Sequence, residues 1–528
     1  MPVPASIHFA YTLFMINRDG QRVSLWQDAV NPYKATNRAN HSTTYDVIIA
    51  GGGITGITTG LLLQEAGKKC LIAEAGNLCF GTTGGTTAHL NTLLDTPYTT
   101  IAKNFGEANA AKVAKATAGA IDLIKYNIDR LGIDCGFKTA DAFLFAQDEQ
   151  QEKELKEIAE ASMAAGIDIT YTNDIPVPIP FRKAIKATEQ AKFNPVAYVY
   201  ALAKAFEEAG GVILEHCRVT EVDKEEVITV TSTRGEFKAV DLVYATHTPP
   251  GVNLLHLRCI PYRSYAMAVQ LENENYPADL SYDMVDPYHY YRTQEVNGQP
   301  YFIAGGKDHK TGNEKNTTHC FEALEAHVRK YFAVKSIEYQ WSSQYFEPAD
   351  GLPYIGHLPG TPEHMYVACG FGGNGMVYSQ VSAMLLKEMI LGEETAYTAL
   401  FDPNRIKPVA GFVNFIKHNT AVVKEFVGKL FSAEELNQLA ELAPGEGKIV
   451  TYENKKLALY KNENGRLYAL NPVCKHLKCE VKWNQAEKSW DCPCHGARYG
   501  IDGNVITGPA SDSLEVISLR ELAQKESK

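Results

Sequence analysis

Near the C-terminus of this 528-residue chain, Cys474-Lys-His476 is followed by Cys492-Pro-Cys-His495, which puts two thiols and two imidazoles on two loops. Cys479 and Cys494 sit one in each loop, so four of the chain's 11 cysteines fall in this short stretch. Soft donors gathered in this way point to a metal centre. A Cys2His2 set can hold zinc, and the cysteines could also form a metal-free disulfide module. Zinc fingers place a helix between their ligand pairs. Here the intervening residues have strand character, Gly496 directly follows the last ligand, and a Gly508-Pro-Ala510 turn could cover the site.

A second constellation lies near the N-terminus. Gly51, Gly53 and Gly56 form G-x-G-x-x-G between the apolar run YDVIIA (45–50) and a segment with helical spacing, and Glu74 ends the next strand. The first glycine permits a tight turn, the second lets backbone approach a pyrophosphate, and the third lets the helix pack on the strand. The helix N-terminus adds amide donors and the positive end of its dipole. Glu74 would accept from a ribose 2′-hydroxyl, which argues against a phosphorylated nicotinamide. A glycine-rich turn with no ligand is the bland alternative, but strand, helix and acidic residue all stand in place. The hydroxyls of GTTGGTTAHL (81–90), Thr86 and Thr87 among them, could line a flavin pyrophosphate and ribityl chain, or form a plain polar loop.

Both constellations need a scaffold. Residues 1–44 are a polar lead-in, with Met15 an alternative start, and residues 45–75 form a βαβ unit. The stretch 101–165 is alanine- and charge-rich and reads as helical, 194–209 is an amphipathic helix, and 211–243 alternates as strands. Residues 262–303, rich in tyrosine and β-branched residues, suggest the antiparallel sheet of a substrate domain. The chain then returns to a strand, a glycine loop and a long helix at 366–392, which closes a doubly wound α/β sheet. Paired apolar residues over 411–431 predict a bridging helix, and Ser432 with Glu435 a capped one. The expected organisation is an extension (1–44), a Rossmann-like α/β unit interleaved with the antiparallel sheet (45–405), a helical linker (406–443) and a small all-β domain (444–528).

Composition excludes several classes. With 45% hydrophobic and 21% charged residues the chain is an ordinary globular one. Its 62 acidic against 51 basic side chains give a net charge of −11 without a basic patch, so nucleic acid is not an expected partner. No apolar run is long enough to span a bilayer. The N-terminus lacks the basic residues and cleavage site of a secretion signal, so the cytoplasm is the expected location.

Over about residues 45–405 the chain resembles the D-amino-acid oxidase and glycine oxidase superfamily of FAD-dependent flavoproteins. The resemblance rests on the glycine fingerprint followed in order by HCRVTEV (216–222), ATHTP (245–249), DGLPYIG (350–356) and GFGGNGM (370–376). It implies FAD, with Val219 meeting the adenine through its backbone and Gly372, Asn374 and Gly375 in the C-terminal flavin loop. It also implies that second-domain strands cover the flavin. These strands bring Tyr265, Arg292 and His309 forward as candidate catalytic residues, with Asp308 beside them. The bland alternatives are a packed sheet aromatic for Tyr265, a surface ion pair for Arg292 and a turn residue for His309. Glycine oxidase-like members carry a carboxylate-anchoring arginine where this chain has Gly373, which weakens an amino-acid substrate.

Over about residues 445–519 the chain resembles a Rieske [2Fe-2S] domain. The resemblance implies that Cys474 and Cys492 ligate one iron and His476 and His495 the other, that Cys479 and Cys494 are disulfide-bonded, and that Tyr499 donates to a ligand sulfur. Where high-potential members carry a serine, this chain has Ala497, which implies a lower potential. The histidine edge of such a domain is expected to be its exposed face and the exit for electrons. A flavin that collects two electrons joined to a cluster that passes one implies a dehydrogenase or reductase. Its partners would be a small-molecule substrate, an amine or amino acid, and a one-electron carrier protein or quinone. The alternative is an electron-relay flavoprotein without its own organic substrate.

Overall fold

The computed structural model describes residues 19–223, 227–393, 395–405, 442–452 and 455–518. Met15, the bridging helix expected over 411–431 and the following helix expected to be capped by Ser432 lie outside the described residues.

The run Thr44–Ala50 is a central strand, and from Val47 onward its side chains are covered on both faces. It pairs in parallel with Cys70–Ala73 and Gly235–Tyr244. Val212–Leu214 and Met365–Cys369 extend the parallel sheet, and Tyr354–His357 closes one edge antiparallel. Helices Ile54–Glu65, Pro195–Glu208 and Gly375–Ile390 share one apolar cluster with Val47 and Ile49 on one face. The other face, with Ile48 and Ala50, is covered by an antiparallel excursion through Val219–Asp223 and Ile228–Ser232.

The second sheet is nine-stranded. Its core is Val334–Pro348, Cys259–Leu271, Gln299–Lys310 and Tyr290–Val296, antiparallel throughout. Leu280–Asp283 then joins in parallel to Lys138–Ala146. That last strand corrects the expectation of helix over 101–165. Glu107–Leu131 and Glu149–Ala165 are helical, but the Phe143-Leu-Phe145 run between them is strand-favouring and pairs on both sides.

The C-terminal region is all-β among the described residues, with a three-stranded and a four-stranded antiparallel sheet. It is docked on the flavoprotein half through buried charge. Arg263 of strand Cys259–Leu271 lies 4.0 Å from Glu487 and 3.8 Å from Asp491, and Arg498 bonds Asp491 at 3.1 Å. Arg498 also pairs with Asp19 at 3.5 Å. The lead-in is therefore no loose extension over its described part. Trp26 is fully buried and donates to the Thr86 carbonyl at 2.6 Å, so residues 19–43 strap the flavoprotein half.

Candidate functional site

Gly51, Gly53, Glu74, Thr86, Thr87, Val219, Gly372, Asn374 and Gly375, all expected from the sequence, line one cavity of about 330 Å³. Gly51 turns with φ +112°, and a Cβ there would come within 2.4 Å of the Ala245 carbonyl oxygen. A Cβ on Gly56 would fall 1.9 Å from the Gly51 oxygen, so the helix can lie against the strand only without one. At Gly53 the limit is Thr83 Oγ1, 2.9 Å away, which itself accepts from the Ile54 amide. The N-cap residues Gly53 and Asn374 make no side-chain cap hydrogen bond to their own helices, Ile54–Glu65 and Gly375–Ile390, and on the first, among the described residues, only the Ile54 amide is taken, by Thr83. Two helix N-termini thus present backbone N–H groups and positive dipole ends around one cavity, a fit for an anionic dinucleotide. The Glu74 carboxylate, its pKa raised by burial, accepts from Gly52 at 2.6 Å and Gly76 at 2.7 Å and still faces the cavity. Val219 sits at a register shift of its strand, which opens its backbone to the same space.

Past this cradle the cavity widens into a chamber under the second sheet, lined by Ser264, Tyr282, Tyr288, Tyr290, Asp308 and Tyr345. Side chains alternate along a strand, so a slip of one residue changes the face. The structure places Tyr265 and His309 on the far face, where they bond each other at 2.9 Å and Tyr265 packs edge-on against Phe321. Their neighbours Ser264 and Asp308 face the chamber instead. Arg292 is fully buried and also off the cavity wall. It donates to the carbonyls of Thr87 and Ala88 and so braces the Thr86–Thr87 turn from behind. None of the three candidate catalytic residues lines the cavity.

Residue 373 does not carry an anchoring cation, and there is no room for one. A Cβ on Gly373 would fall 2.1 Å from Asp95 Oδ2, which accepts from the Gly373 amide at 2.9 Å. Asn374 Oδ1 accepts from the Asp95 amide at 2.8 Å and locks the two loops together. Asp95, in LLDTP, carries no sequence signal, because its meaning comes from a loop nearly the length of the domain away. The chamber tyrosines do leave one, since Tyr288, Tyr290 and Arg292 alternate onto one face of DPYHYYR.

In the C-terminal region Cys474 and His476 sit on the loop before Lys482–Asn484, and Cys492 and His495 on the loop between Ser489–Asp491 and Arg498–Tyr499. Cys479 and Cys494 are disulfide-bonded and tie the loops. The two imidazoles meet edge to face at 4.9 Å, and both Nδ1 atoms are buried without a hydrogen-bond partner. Such orphaned acceptors fit a metal. The thiols of Cys474 and Cys492 contact each other, as the imidazoles of His476 and His495 do, and one sulfur pair beside one nitrogen pair fits a two-iron cluster with a different donor pair on each iron. Cys474 Sγ is 3.1 Å from the Tyr499 hydroxyl.

The expectation of an exposed histidine edge is corrected. His476 and His495 are 8% and 5% exposed because the flavoprotein half covers them. His476 Nε2 donates to the Gly251 carbonyl at 3.1 Å, which fixes the tautomer that leaves Nδ1 bare. The Gly251 amide in turn donates to Pro509 of the GPA turn at 3.2 Å. His256 packs edge-on against His476 at 4.6 Å and holds the turn by bonding the Pro249 carbonyl and the Asn253 amide. Burial lowers its pKa to about 4. Gly496 permits this docking, since a Cβ there would meet Pro261 and Gln344 at 2.8 Å. Thr246, His247, Thr248 and Pro250 from the same turn, and Gly508 and Ala510 opposite, line the dinucleotide cavity.

Residues 46–389 match the family model for FAD dependent oxidoreductases, and residues 433–518 that for the Rieske [2Fe-2S] domain. A protein of Bacillus subtilis (strain 168) described as a Rieske 2Fe-2S iron-sulfur protein, YhfW, is 34% identical over 481 residues, 90% of this chain and 94% of that one. The gamma-glutamylputrescine oxidoreductase of Escherichia coli (strain K12) is 22% identical over 390 residues, 71% of this chain and 90% of its own. Glycine oxidase from Geobacillus kaustophilus shares the fold, with TM-score 0.58 at 18% identity over 69% of this chain and 100% of that one. No helix among the described residues is long and apolar enough to cross a membrane. A cavity built for FAD and loops built for a two-iron cluster thus meet on one polypeptide, which belongs to the FAD-dependent oxidoreductase family and carries a C-terminal Rieske [2Fe-2S] domain.

Proposed function

We propose that this chain is a dehydrogenase that takes two electrons from an amine or amino acid and releases them singly, through its own cluster, to a carrier protein or quinone. FAD supplies the two-electron chemistry and the [2Fe-2S] centre the one-electron step. Gly51, Gly53, Glu74, Val219 and Gly372–Gly375 would hold the first, and Cys474, His476, Cys492 and His495 the second.

One observation carries the reading. The ligand His476 is hydrogen-bonded to Gly251, and the residue before it, Pro250, lines the FAD cavity. A single peptide therefore separates cavity wall from cluster ligand, which supports transfer within one molecule. The polar chamber beyond the cradle supports a substrate of the chain's own rather than a bare relay. Relatives named for gamma-glutamylputrescine and for glycine support a nitrogen-bearing one.

The test is light-driven reduction of the flavin in anaerobic holoprotein, with the cluster followed by its EPR signal. A rate of cluster reduction that does not change on dilution is expected. A rate proportional to protein concentration would mean that electrons pass between molecules, and the reading would fail.

A further inference from the structure

The charge of the chamber discriminates between amines and amino acids, provided that the chamber is the substrate site of the proposed dehydrogenase. Asp95 accepts from the Gly373 amide and from the Tyr288 hydroxyl. Asp308 accepts from the Ser264 hydroxyl and from Tyr345 at 2.8 Å. Glu347 lies two residues along the strand from Tyr345 and is hydrogen-bonded to it. Among the described residues that line the cavity, the only Lys or Arg is Arg218. It stands at the far end, beside Glu74 and the carbonyls of Val505 and Ile506. The two imidazoles on the wall are neutral at pH 7, His89 held well below its usual range and His247 at about 4, both by burial. A substrate carboxylate would therefore enter a water-poor site beside two carboxyl groups, while the nearest buried cations, Arg292 and Lys192, stand behind the wall and donate to backbone carbonyls, so the transfer is strongly unfavourable. An ammonium group would meet those carboxylates together with electron-rich tyrosine rings.

We propose that the chamber selects an organic amine cation that has no carboxylate next to its nitrogen, with Asp95 and Asp308 as its anionic contacts. Oxidation then removes a hydride from the carbon beside nitrogen, taken up by FAD, and a proton from nitrogen, taken up by the Asp308 carboxylate. A C=N bond replaces the C–N bond, and addition of water releases an aldehyde and the nitrogen as ammonia or the shorter amine.

Binding to the oxidised holoprotein tests this without turnover, by calorimetry and by perturbation of the flavin absorption band. The probes are tetramethylammonium, which cannot be oxidised by loss of a neighbouring hydride and N–H proton, its anionic counterpart pivalate, and the pair tert-butylamine and 2-aminoisobutyrate, which have no hydrogen on the carbon beside nitrogen and so cannot turn over. Tetramethylammonium and tert-butylamine are expected to bind, and pivalate and 2-aminoisobutyrate to bind at least about tenfold more weakly, the equivalent of one lost charge-assisted contact. Asp95→Asn and Asp308→Asn should each weaken both cations by a similar factor while FAD content and the cluster spectrum hold. Binding of pivalate or 2-aminoisobutyrate as tightly as their cationic partners would overturn the proposal in the unaltered protein, whether or not the variants fold. Failure of flavin-to-cluster transfer would leave these affinities untouched, so the two readings fail separately.

Discussion

His476 donates to the carbonyl oxygen of Gly251 at 3.1 Å, so the histidine proposed as a cluster ligand is tied to the turn that walls the FAD cavity. His256 holds that turn from behind, bonding Pro249 O at 2.8 Å and the Asn253 amide at 3.1 Å. His256→Phe keeps the ring volume but leaves both backbone groups unpaired, a local cost of about 1–3 kcal/mol for each. The turn should shift, flavin-to-cluster transfer should slow, and the cluster EPR line shape should change as the His476 hydrogen bond loosens. FAD and iron content should stay the same. Transfer at the parent rate in a folded, loaded variant would mean that the turn is not the path.

The chamber should also respond to pH. Burial raises Asp308 to about 7, with the Ser264 and Tyr345 hydroxyls opposing the rise and Asp95 adding to it, and Glu347, two strands away on Val334–Pro348, is raised to about 7 as well, also by burial. Below pH 7 these carboxyls are protonated and neutral; above it they are charged. Affinity for tetramethylammonium, whose own charge is fixed, should therefore climb with pH between about 6 and 8 and level off above, by up to about tenfold per pH unit for one linked proton. A flat calorimetric profile across that window would mean that neither carboxyl meets the ligand.

The two sites are not equally legible in the sequence. The glycine cradle and the proposed cluster ligands stand out because each is local: G-x-G-x-x-G works through contacts such as Gly56 against Gly51, five residues apart in sequence. Sequence reasoning puts the chamber on the right strands but in the wrong register at Tyr265 and His309: burial alternates from Cys259 to Tyr265, with Ser264 half-buried against the chamber and Tyr265 buried on the far face. A tyrosine serves equally well as a pocket wall or as a packed core ring, so residue type alone does not say which face of that alternation the chamber takes. Asp95 opposite Gly373 and the docking of His476 on Gly251 are illegible, since both join segments that only the fold brings together.

Gly53→Val should abolish FAD binding. Its Cβ position is already 2.9 Å from Thr83 Oγ1, and the added methyls would project into the space where the backbone meets the pyrophosphate. The cluster visible spectrum should persist, because Gly53 touches none of its loops. Loss of both chromophores together would show that the halves fold as one unit through Arg263 and Arg498.

Arg263 tests that interface directly. It is 1% exposed and faces Glu487 and Asp491 across the boundary between the halves. Arg263→Met removes one cation from a buried network and should cost about 3–5 kcal/mol, because the acidic groups stay buried with less compensation. Thermal unfolding should begin earlier, and proteolysis should free the C-terminal domain at concentrations where the parent resists. An unchanged unfolding curve would show that Arg498 alone neutralises Asp491 and Glu487.

The cluster potential should follow the donors around its sulfurs. The Tyr499 hydroxyl accepts from the Lys475 amide at 3.2 Å, which turns its own proton toward Cys474 Sγ at 3.1 Å. Burial pushes the phenol above its usual range, so it remains a donor at any working pH. A hydrogen bond to sulfur stabilises the extra electron of the reduced cluster more than the oxidised form. Tyr499→Phe should therefore lower the midpoint potential by on the order of 50 mV, close to a tenfold change in a one-electron equilibrium. Ala497, fully buried in sequence between His495 and Tyr499, can be given a hydroxyl, and Ala497→Ser should raise the potential by a similar amount. Redox titration followed by EPR reads both. Opposite signs in the two variants are the expected outcome, and equal potentials in all three proteins would mean that neither side chain reaches the cluster.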